Sequence, residues 1–183
     1  QLDLLVYLFL NPPRQQYLEF EFGLSPHTIV DWSNFIREVL IDWCEDNSTQ
    51  IGGPNTIVEI DETKIGHRKY NRGRIVDGRW VFGAYERGST ALCITVVKDR
   101  TTNILLQIIK KWIKPGTTII SDQWRAYSTL NKEGFIHLTV NHSINFVDPD
   151  TGAHTQHIER SWRDLKNTIP RFGTVEPHYH GYL

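Results

Sequence analysis

Gly52-Gly53-Pro54-Asn55 separates two stretches with different hydrophobic periods, and this change limits the possible folds more than any other feature of the chain. Before it, Ile29, Trp32, Phe35/Ile36, Val39/Leu40 and Trp43 recur at helical spacing. Ser25 followed by Pro26 supplies a start for that helix, a hydroxyl for the N-cap and a fixed φ at the first helical position. Asn11-Pro12-Pro13 breaks the chain upstream, and Gly23 marks the entry. After the tetrapeptide, short β-rich runs take over. Strands are expected at Thr56–Asp61, Trp80–Glu86, Ala91–Val97, Thr117–Ser121 and Phe135–Val140, with Arg87-Gly88-Ser89-Thr90 as a hairpin turn. Ile104, Leu105, Ile108, Ile109, Trp112 and Ile113 predict one helix, closed by Lys114-Pro115-Gly116. A short helix is expected at Trp124–Lys132, a turn at Asp148–Gly152, and a last helix at Thr155–Ile169, closed by Pro170.

The order β-β-β-α-β-α-β-α implies an α/β protein with one mixed five-stranded sheet and flanking helices. Three strands in an antiparallel meander followed by crossover units is the RNase H-like arrangement, although the pattern alone ranks it level with several other α/β folds. The segment "GLSPHTIVDW" reads as the second half of a helix-turn-helix. Residues 1–50 carry eight acids and two bases, a net of −6, which weakens the idea that this piece grips DNA and favours a packing or dimerising helical pair.

The whole chain carries only −1, so the remainder is +5. Lys64 to Arg79 (KIGHRKYNRGRIVDGR) holds six basic residues and one acid, either a footprint for a polyanion or a solvated loop. Cys44 and Cys93 stand in apolar contexts without CxxC spacing and are read as buried free thiols, in keeping with a reducing compartment. The run Leu4 to Leu10 is too short for a membrane helix, and with Asp3 and no basic flank it is a poor signal peptide. The chain begins at Gln, has no Met and stops in an aromatic-rich segment, and is expected to be a fragment of a longer protein.

Three acids stand out by position. Asp61 ends the first expected strand, Asp122 follows the fourth, and Glu159 lies on the last helix. Ligands gather at strand ends in open α/β sheets. Two carboxylates from neighbouring strand ends and one from a crossing helix can converge on hard divalent cations such as Mg²⁺. Two such ions, roughly 4 Å apart, suit phosphoryl transfer. Other readings stay open: Asp122 as a turn residue, Glu62 in place of Asp61, and Glu59 on the same strand face but deeper. On the last helix Ile158, Trp162, Leu165 and Ile169 form the apolar stripe, with Glu159 at its edge. Arg163 and Lys166 follow on that side and Asp164 on the other; a plain Glu159–Arg163 surface pair is the alternative. His142, His154 and His157 match no common structural zinc spacing. Trp124 and Tyr127 are read as core aromatics, with stacking on an unpaired base as the alternative.

The strings "VEIDETKIG", "DGRWVFGAYERG", "PGTTIISDQWRAY", "VNHSINFVDPDTGAHTQHIERSWRDLK" and "PHYHGYL", in that order, resemble the Merlin superfamily of DNA transposases and the related bacterial insertion-sequence transposases. The resemblance runs from about Pro54 to Leu183, and "LSPHTIVDWSNFIREV" is similar to the helix before that domain. It implies an RNase H-like DDE catalytic domain at 54–183, its C-terminus cut short; the helix-turn-helix-like reading of 1–50 comes from the pattern alone, and the family's N-terminal DNA-reading module is not recognisable. The acid triad then falls on Asp61, Asp122 and Glu159, with 36 residues between the last two. It implies two Mg²⁺ or Mn²⁺ ions and double-stranded DNA as partner, both terminal repeats and target. It further implies a homo-oligomer, no membrane, and action in the nucleus of a eukaryote or the cytoplasm and nucleoid of a bacterium. Lys64, Arg68, Lys69, Arg72, Arg74, Arg163 and Lys166 are the candidate phosphate contacts, and His142 of "VNHS" is expected to line the site. The rivals are a domesticated, non-catalytic DNA-binding protein derived from a transposase and an RNase H-like nuclease or resolvase.

Overall fold

The computed structural model describes residues 15–65, 78–89 and 91–169. These fall into two compact units, one ending at Ser48 and the other beginning at Thr49. The first holds helices α1 (Gln15–Phe22) and α2 (Pro26–Asn47). The Ser25 side chain accepts a hydrogen bond from the Thr28 amide at 3.2 Å, and Pro26 opens α2, as the dipeptide predicts. Leu18, Ile29 and Ile36 form a small core with Phe22 and Leu24 beside it.

The second unit contains β1 (Ile57–Ile65), β2 (Arg79–Glu86), β3 (Leu92–Val97), α3 (Thr102–Trp112), β4 (Thr118–Asp122), β5 (Ile136–Val140) and α4 (Gln156–Thr168). The five strands make one sheet in the order β3-β2-β1-β4-β5. The first three strands are antiparallel, while β1–β4 and β4–β5 are parallel. This is the mixed RNase H-like arrangement. Gly88 takes φ +88° in the β2–β3 turn, a conformation that needs no Cβ.

Strand alternation decides the two faces. Val58 and Ile60 of β1, with Phe82 and Ala84 of β2, pack against Leu105 and Ile109 of α3. The alternate residues Glu59, Asp61 and Thr63 turn the other way and meet α4, through His157, Trp162 and Lys166 in turn. Helix α4 therefore runs along β1 in the same direction. Its buried stripe, Ile158, Trp162 and Leu165, follows the one read from the sequence, except that Ile169 falls at the C-cap and is half-buried.

Three local expectations need correction. The first strand continues four residues past Asp61, because β2 keeps pairing with it as far as Ile65–Arg79. Trp124–Lys132 holds two short 3₁₀ turns, Arg125–Tyr127 and Leu130–Glu133, in place of an α-helix. Cys44 is exposed and Cys93 half-buried, the latter with its thiol pushed up to about 12 by burial; both are free. No helix among the described residues is long and apolar enough to cross a membrane.

Candidate functional site

Asp61 lies where β1 outruns its neighbour. Its parallel pairing with β4 runs from Ile57–Thr118 to Glu59–Ile120. Two residues further on come Asp61 and Asp122, the latter the last residue of β4. In-register positions on adjacent strands lie about 4.8 Å apart and point to the same side. The ladder thus sets the two carboxylates side by side at the edge where β4 stops. On the other flank, Asp61 pairs with Gly83 of β2. A Cβ on Gly83 would lie 2.4 Å from the Trp162 ring and 2.8 Å from Ile158. The glycine lets the indole settle onto the sheet, where Trp162 Nε1 donates to Asp61 Oδ2 at 2.8 Å.

Glu159, on the first turn of α4, is 46 % exposed, at the edge of the buried stripe. The Thr155 hydroxyl donates to Glu159 Oε1 at 2.8 Å. Having spent its one proton, that hydroxyl can only accept from His142, whose Nε2 lies 2.8 Å away and therefore carries hydrogen. His142 Nε2 is also 3.4 Å from Glu159 Oε1. Asp122 is steadied by the Trp124 amide, which donates to Oδ1 at 3.2 Å.

The Asp61 carboxyl feels its burial first and the other two acids after it. Burial raises the Asp61 carboxyl to about 6; the Trp162 and backbone hydrogen bonds oppose this, while the charges of Asp122 and Glu159 add to it. No Lys or Arg lies within ion-pair distance of any of the three among the described residues. Glu62 faces the α3 side and is pushed up to about 8, first by burial and then by Asp61 and Asp122, with Arg100 opposing. Its Oε1 is buried without a partner. On the opposite face from Asp61, it is the poorer candidate for that position.

Glu59, fully buried, is the acid that sequence reasoning undervalued. Its Oε1 takes Arg87 Nε at 2.6 Å and His157 Nδ1 at 2.7 Å, and its Oε2 takes the His157 and Ile158 amides at 2.9 and 3.2 Å. Burial pushes its pKa up, but the hydrogen bonds from His157, Arg87 and Ile158 outweigh it and hold the carboxyl below its ordinary value. Glu59, His154 and His157 bring donor atoms within 4.8 Å of one another, a spacing that could hold a metal ion. The guanidinium already on Glu59 does not suit a cation there, so we read the set as a clamp on the start of α4. The signal in the sequence was a charge flanked by Ile57, Val58 and Ile60 in the first half of the strand, which burial tolerates only with partners.

The remaining candidates divide. Lys64 is exposed on β1, its Nζ 5.9 Å from the Trp80 ring centroid. Lys166 Nζ donates to Thr63 Oγ1 at 2.6 Å, and Arg163 stays exposed with its Nε 3.8 Å from Asp164. Arg68, Lys69, Arg72 and Arg74 lie outside the described residues. Tyr127 is a buried core aromatic as expected, whereas Trp124 is half-buried.

Residues 51–183 match the ISXO2-like transposase domain family. An uncharacterized transposase-like protein of Haemophilus influenzae is 29 % identical over 89 residues, which cover 48 % of this chain and 71 % of that protein. Among solved structures, the catalytic core domain of BIV integrase superposes with a TM-score of 0.44 and 17 % identity, covering 69 % of this chain and 79 % of that one. The HTLV-2 integrase catalytic core domain, in a dimeric complex with magnesium, gives 0.40 and 19 %, covering 63 % and 70 %.

Proposed function

The chain belongs to the ISXO2-like transposase domain family, and from that we propose that it is a metal-dependent DNA transposase whose catalytic acids are Asp61, Asp122 and Glu159. The observation that carries this reading is the placement of the three acids: Asp61 and Asp122 stand at matching positions of neighbouring parallel strands where β4 stops, and Glu159 lies on the first turn of the helix packed along that face. Kinship with Merlin elements rests on the motif strings alone and is part of the proposal.

The donor set fits hard cations: carboxylate oxygens as ligands, and no basic residue within ion-pair distance among the described residues. Two Mg²⁺ or Mn²⁺ ions bound there would supply the charge that activates an attacking oxygen and stabilises the leaving one at a DNA phosphodiester. The chain's own residues do the positioning. Trp162 orients Asp61, Thr155 with His142 orients Glu159, and the Glu59 clamp holds the start of the helix that carries Glu159. We assign phosphate contacts to Lys64, Arg163 and Lys166, and the same role to Arg68, Lys69, Arg72 and Arg74. In cut-and-paste transposition the substrate would be a terminal-repeat duplex, cut to free a 3′-hydroxyl that then attacks target DNA. The protein would act as a homo-oligomer wherever host DNA lies, the nucleus of a eukaryote or the nucleoid of a bacterium.

Glu159→Gln tests the assignment, since Gln keeps the shape and removes the charge. Cleavage of a labelled terminal-repeat duplex in Mg²⁺ is expected to be abolished with DNA binding retained, and Asp164→Asn, an exposed neighbour on the same helix, is expected to cut normally. A Gln variant that cuts at the wild-type rate, or an inactive Asn control, would show the third acid to be misassigned. Transfer of 3′-hydroxyl ends into a second duplex separates a transposase from a nuclease that only cuts.

A further inference from the structure

Beside the acids, on the α3 side of the sheet, the junction between β3 and α3 opens into a groove of about 540 Å³. Arg100 is its distinctive feature. The Arg100 guanidinium carbon stands 3.5 Å from the Trp80 ring centroid and 4.7 Å from that of Trp124. Two indoles thus hold a half-buried cation in place, an arrangement in which planarity and delocalised charge favour Arg over Lys. Among the described residues no acceptor takes any of its N–H donors and no carboxylate lies within ion-pair distance. Arg125, exposed on the first 3₁₀ turn, lines the same groove and is likewise unpaired. Asn103 adds a polar group, whereas Thr101 is engaged by the neighbouring Asp99 carboxylate, which takes its amide at 2.9 Å and its hydroxyl.

This cation lies between two rings with no protein acceptor among the described residues, and its rigid fork of donors matches a phosphate. The groove also adjoins the acids. The Trp124 amide is bonded to Asp122, and Arg100 acts on Glu62, the neighbour of Asp61. We propose that this groove is a separate phosphate subsite, in which Arg100 and Arg125 grip the backbone of a DNA strand flanking the scissile phosphodiester. The proposal rests on the reading that the acids act on DNA, but it is decided by binding and not by cleavage.

The test uses the full chain and fluorescein-labelled duplex DNA of arbitrary sequence, with anisotropy titrations at several salt concentrations in EDTA. Arg100→Gln and Arg125→Gln are each expected to weaken binding about tenfold, as loss of a charged hydrogen bond does. Each should also reduce the salt slope by about 0.9, one phosphate contact. Arg100→Lys is expected to keep the slope while binding more weakly than wild type. Arg125 is exposed, so its variant will fold; wild-type affinity and slope in Arg125→Gln overturn the subsite. So does a loss in Arg100→Gln without a reduced slope, which would mark packing damage. Nicking in Mn²⁺ is measured in parallel. A wild type that binds with these slopes yet never cuts overturns the transposase reading and leaves the subsite standing. A cutting enzyme whose Arg variants bind like wild type does the reverse.

Discussion

Gly83 shows how much can depend on a missing side chain. It faces Asp61 across the β1–β2 pair, and the space a Cβ would need is filled by the Trp162 ring and the Ile158 methyl. Gly83→Ala forces the indole away from the sheet, and overpacking of this kind costs about 1–3 kcal/mol. The urea midpoint is expected to fall accordingly, with the denaturant slope unchanged. Because the same indole donates to Asp61, cleavage should fall further than stability accounts for. An alanine variant as stable and active as wild type would mean that Trp162 does not position that carboxylate.

At the scale of elements, α4 is held at both ends by residues of a single strand face. The Glu59 carboxylate accepts from two backbone amides at its start, His157 and Ile158, in place of a capping side chain from the helix itself, since Thr155 makes no cap bond. Lys166 ties its last turn to Thr63. Glu59→Gln leaves the half-buried Arg87 without its charge partner and removes the charge that takes the helix amides, and the cost is expected to be about 3 kcal/mol, the low end for a buried pair. The surface pair Lys110–Glu133 is the comparison, for Glu133→Gln should cost no more than about 1 kcal/mol. Equal denaturation midpoints for the two variants would contradict the clamp.

At the scale of the whole molecule, the acid cluster links folding to pH and to metal. Asp61 and Glu62 have ordinary values of 3.8 and 4.5 and are raised to about 6 and about 8, first by burial. The folded chain therefore holds these two protons more tightly than the unfolded chain. The stability they contribute is complete below the ordinary values and is lost as pH rises through about 6 and then about 8. Glu59 is shifted the opposite way, so its contribution is lost on acidification and lies below this window. The metal-free melting temperature is expected to fall between roughly pH 5 and pH 8. Mn²⁺ at the alkaline end should restore it, because an ion that binds only the folded state stabilises it. Asp122→Asn should lose the Mn²⁺ response. A flat profile, or an equal Mn²⁺ effect in that variant, would count against the cluster as a metal site.

The order of strands and helices could be read from local chemistry: alternation in 91–97, the Ser25-Pro26 start, the stripe Ile158, Trp162 and Leu165, and the stop at Pro115-Gly116. The two strands and the helix that bear Asp61, Asp122 and Glu159 were placed by the same signals. Periodicity and capping act within a few residues and need no knowledge of what lies opposite. What they could not supply was the pairing. That β1 outlasts β4, so that Asp61 stands beside the last residue of a shorter neighbour, depends on a register between segments some sixty positions apart. That Glu59 caps a helix almost a hundred residues away, and that Arg100 lies between Trp80 and Trp124, are likewise choices of partner. The 3₁₀ turns after Asp122 and the exposure of Cys44 belong with them. A residue type states what a side chain needs, a charge to be met or a ring to be covered; only the packed chain determines which distant group meets it.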